Sequence, residues 1–216
     1  MERVCDHYGM RINIKKTKVM KISKTPSCMH ISVYGKELEQ VQSFKYLGSI
    51  LCEDGRCSKE ISLRIGLAKS AFMKRKIIVT GTIDLSLRKR LVKTLVWSML
   101  LYACEAWTLK KADITKLEAF EMWCWRRVMK VKWTDRVTNE VVLQNVKEER
   151  QLINSIYRRK RKWAAHNIRH SKIFRLMIEG RMKGKRSRGR KRVMLTDSIT
   201  NGQYYLFKER ALMREV

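Results

Sequence analysis

Pro26 is the only proline in 216 residues, and ten glycines accompany it. An all-β chain needs frequent turns, and Gly and Pro supply much of their backbone geometry. So little turn material points to long helices, and the expected fold class is α+β, mostly α. Hydrophobic residues make up 44% of the chain, enough for a core. The longest mostly apolar, uncharged run covers 94–104. It is too short to span a bilayer and reads as a buried helix.

Periodicity places the elements. Residues 2–8 read as the end of a helix capped by Gly9. Next, 11–13 is short and extended, and Asn13 opens a turn across 14–17, because its side chain can bond the backbone that follows. A strand resumes over 18–23, and 24–30 is a loop. A hairpin is expected from 30–34 and 37–42 across Gly35-Lys36. The stretch "SFKYLGSIL", 43–51, reads as one further strand with Gly48 inside it, a mark of close approach by another backbone or a ligand.

After Cys57 the spacing becomes helical. Ser58 is a plausible N-cap, with Ile61, Ile65, Ala68 and Phe72 on one face, and Gly81 is a break. From Ser86 a second helix aligns Leu87, Leu91, Leu95, Ser98 and Tyr102, widened by Val92, Val96 and Met99. A third covers 112–131 and buries Leu117, Phe120, Cys124, Val128 and Val131. Helices over 139–146, 151–170 and 204–215 complete the pattern.

Charge then bounds the partner. The chain carries 49 Lys and Arg against 20 Asp and Glu, a net charge of +29. Such a chain repels itself when compact unless a polyanion binds. Nucleic acid is the leading partner, and an anionic membrane surface is the bland competitor. From 147 onward there are 21 Lys and Arg against 6 Asp and Glu. The densest stretch, "GRMKGKRSRGRKR" at 180–192, is expected to be extended or disordered when free, and can act as a nuclear localisation signal. Cys5, Cys28, Cys52, Cys57, Cys104 and Cys124 form no tight framework, and no secretory leader is evident. They are read as reduced and intracellular, with the nucleus the expected location. His166 and His170 stand four residues apart on a helix, yet no Cys-x-x-Cys pair completes a zinc set with them, so no metal is expected.

The order of these pieces carries a resemblance. "GMRINIKKTKVM", followed at this distance by "FKYLGSIL", resembles the last two palm motifs of non-LTR retrotransposon reverse transcriptases. The segment "LLYACEAWTLKKADITKLEAFEMWCWRRVMKVKWTDRVTN", 100–139, and the tail "EGRMKGKRSRGRKRVMLTDSI" resemble RTE-type LINE elements, which carry an endonuclease and a reverse transcriptase on one polypeptide. The resemblance covers nearly the whole chain. It implies three parts: the C-terminal piece of the palm, a small antiparallel β piece, over 1–56; a helical thumb over 57–135; and a basic C-terminal extension over 136–216. The implied function is a fragment of an RNA-directed DNA polymerase that grips RNA template, DNA primer and RNA–DNA hybrid. The family's Tyr-Ala-Asp-Asp turn would lie upstream of the helix ending at Gly9. Neither Glu53-Asp54 nor Glu148-Glu149 replaces its aspartates, so the chain alone is expected to be inactive. Mg2+ belongs to the intact family enzyme, and no cofactor is expected in this chain. The alternative is a host-recruited, non-specific nucleic-acid-binding protein with no enzymatic role. The oligomeric state is left open.

Residue roles follow in part from chemistry and in part from the resemblance. On the residues alone, Lys16 closes a turn and faces solvent. The resemblance implies a lysine near the incoming triphosphate, where an ammonium can neutralise or protonate departing pyrophosphate. Phe44, Tyr46, Leu47 and Gly48 match the primer grip, or else form an ordinary core strand. Arg88, Lys89, Arg90 and Lys93, then Arg126, Arg127, Lys130 and Lys132, are candidate phosphate contacts of the thumb. Trp123, Trp125 and Trp133 interleave with the second group. For Trp125 and Trp133 packing is the expectation. Arg158, Arg159, Lys160, Arg161 and Lys162, with Lys185, Arg186, Arg188, Arg190, Lys191 and Arg192, are read as salt-sensitive phosphate contacts.

Overall fold

A computed structural model describes residues 2–23, 27–179, 196–200 and 202–214. The chain divides into two compact units, Met1–Glu60 and Ile61–Val216.

The first unit opens with helix α1 (Glu2–His7). It stops where Gly9 turns left-handed at φ 65°. There the Met10 N–H reaches back to the Cys5 carbonyl at 2.9 Å and Gly9 N–H to Asp6 at 3.0 Å, satisfying carbonyls that the helix end leaves open. The turn at Asn13 forms as expected. Its Oδ1 accepts Lys16 N–H at 3.2 Å and its carbonyl accepts the Thr17 hydroxyl at 2.9 Å. Short strands follow: β1 (Lys18–Val19), β2 (Ser32–Val33), β3 (Lys36–Glu37), β4 (Glu39–Gln40), β5 (Ser43–Tyr46) and β6 (Ser49–Cys52). They form three two-stranded pairs. β1 lies parallel to β4, while β2–β3 and β5–β6 are antiparallel hairpins.

Two local readings change here. The first hairpin turns at Tyr34-Gly35, one residue earlier than expected, with φ 50° and 72°. The stretch 43–51 is a hairpin instead of one strand: Tyr46 pairs Ser49, and Leu47 and Gly48 form the turn at φ 46° and 83°. Two successive left-handed residues give a turn whose twist matches that of the paired strands. Gly48 therefore supplies backbone freedom at a turn.

The second unit is helical. Helix α2 (Ser58–Lys74) buries Ile61, Ala68 and Phe72, as the spacing predicts. The short α3 (Lys76–Val79) ends before Gly81. A Cβ at Gly81 would stand 2.7 Å from the Ile77 carbonyl oxygen, so only glycine fits this break. Helix α4 (Leu85–Leu91) starts on Asp84, whose carboxylate accepts Ser86 N–H at 2.8 Å. It runs through a π-helical turn, Val92–Val96, into α5 (Trp97–Leu100). A π turn rotates everything beyond it out of the 3.6 period. The expected face holds only in part: Val92 and Val96 are buried as expected, but beyond the π turn Met99 and Tyr102 are exposed while Trp97, Leu100 and Leu101 are buried, and Leu87, ahead of that turn, is exposed as well.

Helix α6 (Lys111–Val128) buries Leu117, Phe120, Cys124, Trp125 and Val128. Then come α7 (Asn139–Val146), α8 (Leu152–His170), α9 (Lys172–Ile178), α10 (Asp197–Thr200) and α11 (Tyr204–Leu212). The buried face of α8 takes every fourth residue: Leu152, Ile156, Lys160, Ala164 and Ile168. It packs on α6, α9, α10, α11 and the 3-10 turn Cys104–Ala106. The described part of the basic extension is thus built into the same helical unit.

Glu121 secures the start of α8. It is buried on α6, and its Oε1 accepts Gln151 N–H at 3.0 Å and Leu152 N–H at 3.1 Å. Burial pushes its carboxyl up from the ordinary value, against the pull of those two N–H groups. A raised folded value means stability present at low pH and lost as pH rises through it. Glu121→Gln keeps the acceptor and removes the buried charge, so its thermal stability relative to the parent should improve as pH climbs from 4 to 7. Glu121→Ala leaves two N–H groups unmet and should cost about 1–3 kcal/mol in denaturant titrations.

Candidate nucleic-acid interface

Many of the cations proposed as contacts turn inward. Arg88 Nη1 donates to the Val128 carbonyl at 3.0 Å. Lys89 Nζ reaches the Val146 carbonyl at 3.1 Å, and Lys93 Nζ bonds both Glu148 oxygens at 2.9 Å. Arg159 donates to Leu101 at 3.3 Å. The expectation of phosphate contact is corrected at Lys160. Only 1% of it is exposed, and its ammonium reaches Trp107 O at 2.6 Å and Ser198 Oγ at 2.9 Å. A buried ammonium needs such partners, and a phosphate cannot reach it.

Beyond α6 the remaining cations gather. The helix ends in a left-handed Lys130 (φ 57°), with Val131 N–H bonded to Arg126 O at 2.9 Å. A 3-10 turn, Trp133–Asp135, follows, tightened by Asp135 Oδ2 accepting Lys132 N–H at 2.7 Å. Arg136 is left-handed as well, at φ 48°. Arg126 ties the next segment down through the Val137 carbonyl at 2.6 Å and Asn139 Oδ1 at 3.0 Å. Together these walls and the end of α3 enclose a groove of about 1000 Å³. Its lining includes Lys76, Arg126, Arg127, Lys130, Lys132 and Arg136, with Trp123 and Trp133, and no carboxylate.

The tryptophans divide. Trp125 is fully buried, as expected. Trp133 is 90% exposed, so the packing expectation is corrected there: its turn points outward, where no core is within reach. Trp123 is already covered, with the Arg127 guanidinium 4.4 Å from its ring centroid and Phe72 edge-on at 5.1 Å.

A second groove of about 690 Å³ runs between α8 and α11. It collects Arg158, Arg161 and Lys162 with Arg210, and again no carboxylate lines it. Arg90 is exposed on α4. Lys185, Arg186, Arg188, Arg190, Lys191 and Arg192 lie outside the described residues. In the first unit, Lys16 is exposed, and Phe44, Tyr46 and Leu47 are exposed along their hairpin. Sequence reasoning missed Lys76, Arg136 and Arg210. Arg136 stands in the run "VKWTDRVTN", where its spacing from Lys132 and Trp133 was the available signal.

The metal-ligating types do not converge. Among the described residues no group of three His, Cys, Asp or Glu could hold a metal ion. The described residues therefore do not supply the ligands of a two-metal centre. Burial pushes the Cys104 thiol up to about 12, aided by Glu105, and raises the Cys124 thiol further, which makes both poor nucleophiles. No helix among the described residues is long and apolar enough to cross a membrane.

The chain is similar to a transposon-derived protein. That relative, from Caenorhabditis elegans and described as uncharacterized and transposon-derived, is 28% identical over 204 residues, which span 90% of this chain and 73% of the relative. No protein-family model matches the chain, and no solved structure matches it.

Lys130 occupies the position after a helix where glycine is usual. A left-handed side-chain residue costs about 1–2 kcal/mol. Lys130→Gly should therefore raise the melting temperature while weakening polyanion binding. Lys130→Ala should weaken binding without that gain. Paired thermal melts and binding titrations check both.

Proposed function

We propose that this chain derives from a transposable element and is the C-terminal part of a retrotransposon reverse transcriptase, whose helical unit grips nucleic acid without polymerising alone. The observation that carries the binding role is the carboxylate-free groove lined by Lys76, Arg126, Arg127, Lys130, Lys132 and Arg136. A low-dielectric concavity of one sign concentrates the opposite charge, and a backbone of closely spaced phosphates matches it. The palm and thumb assignment rests on the motif order from "GMRINIKKTKVM" through "FKYLGSIL" to the 100–139 segment. The transposon-derived relative supports the origin.

In this reading the cations fall into two jobs. Arg88, Lys89 and Lys93 hold helices against each other, and Arg126 positions the groove wall. Arg127, Lys130, Lys132 and Arg136 meet phosphates. In the intact polymerase Mg2+ would serve the aspartates of the family's Tyr-Ala-Asp-Asp motif, and Lys16, on its exposed turn, would face the triphosphate.

Affinity for RNA–DNA hybrid should fall linearly on a log–log plot against salt. Lys132→Ala should lower that slope by about one contact's worth, ~0.9 for a duplex. Lys93→Ala should leave the slope unchanged and lower the melting temperature instead. Salt-independent binding would overturn the phosphate reading. Primer extension on an RNA template should give no product, and incorporation by this chain alone would overturn the claim that it does not polymerise.

A further inference from the structure

The groove's aromatic wall has a property that duplex gripping leaves unused. Trp133 holds 90% of its surface in solvent. Among the described residues no ring and no cation lies over it. The backbone of its turn is held: Asp135 Oδ2 accepts Lys132 N–H at 2.7 Å, and left-handed Lys130 and Arg136 bracket the turn. A bare indole between cations is expensive to leave in water and matches one chemistry well. Base faces stack on such rings, and flanking phosphates sit on the cations beside them.

We propose that this groove takes single-stranded nucleic acid, with an unstacked base lying on the Trp133 indole and its phosphates on Lys130, Lys132 and Arg136. The proposal rests on the nucleic-acid reading above and narrows it to a strand class. In the interior of a duplex every base face is covered by its neighbours, so a duplex can use the cations of the groove and leave the indole idle. A single strand can splay a base outward. Trp123 cannot serve in its place, because Arg127 and Phe72 cover it. The lining holds no carboxylate to repel the strand.

The test compares the parent chain, Trp133→Phe and Trp133→Ala on single-stranded RNA or DNA of about 12 nucleotides, a length in the range such sites cover. An RNA–DNA hybrid several times longer, in which nearly every base face is covered, is the second ligand, at the same salt. Trp133 is solvent-exposed, so all three proteins should melt alike. On the single strand Trp133→Ala should lose about tenfold or more in affinity, and Trp133→Phe should keep most of it. On the hybrid all three should bind alike. A fluorescent base analogue in the single strand should be quenched by the parent and not by Trp133→Ala. Equal losses on both ligands, or no loss on the single strand, would overturn the proposal while leaving salt-dependent binding intact. If the parent itself binds neither ligand in a salt-dependent way, the functional reading fails, and this inference fails with it.

Discussion

Cations that cap the carboxyl ends of other helices hold the helical unit together. Arg88 reaches Val128, the last residue of α6, at 3.0 Å, and Lys89 reaches Val146, the last of α7, at 3.1 Å. Arg169 reaches Ala211 in the final turn of α11 at 2.6 Å, and Arg159 reaches Leu101, just past α5, at 3.3 Å. The last carbonyls of a helix have no partner within it and carry the negative end of its dipole. A guanidinium or ammonium placed there makes a charge-assisted bond, stronger than a neutral one. Each bond joins residues more than 35 positions apart, so each fixes tertiary order as well as a helix end. A chain with a net charge of +29 repels itself in the compact state. Turning some of them onto helix ends removes part of that repulsion and ties the bundle with the same groups.

The cations left over are sorted by the same geometry. α4 lies with its Arg88 and Lys89 against the ends of α6 and α7, so those side chains are consumed. The chain leaving α6 meets no such carbonyl, and Arg127, Lys130, Lys132 and Arg136 collect around a cavity. Two of these residues adopt left-handed backbone, which non-glycine residues avoid. Strain of this kind persists where the surrounding structure over-determines it and is enriched at binding sites. The local cost and the concentration of charge coincide on the groove rim, and the helices around it stay conventional.

Legibility followed the kind of signal. Helices over 58–74, 139–146 and 152–170 could be read because apolar spacing and end residues agree there. The turn at Asn13 was legible from side-chain chemistry. The face beyond Val96 was not, since a π turn leaves no mark in a period of 3.6. Nor was the hairpin at Leu47-Gly48, where a short strand–turn–strand reads as one strand until both left-handed angles are known. Lys160 was legible in principle. It stands midway between Ile156 and Ala164 on a face with apolar residues at every other fourth position, and a run of basic neighbours masked that spacing. Trp133 followed the opposite pattern: its neighbourhood looks like core in the sequence, and only the 3-10 turn sends it outward.

Salt acts on the two populations of cations in opposite directions. Added ions screen the self-repulsion of the folded chain, which favours the compact state. The same ions weaken phosphate contacts, because binding no longer gains as much from releasing counterions. The inward bonds onto helix ends are partly buried and respond less than exposed contacts do. A nucleic acid bound in the groove as proposed would stabilise the fold by mass action and supply the negative charge that the sequence lacks. At low salt that polyanion would do the neutralising, and at high salt free ions would. The fold is compatible with both conditions because most of its structural cations face carbonyls, and Lys93 has its own carboxylate in Glu148.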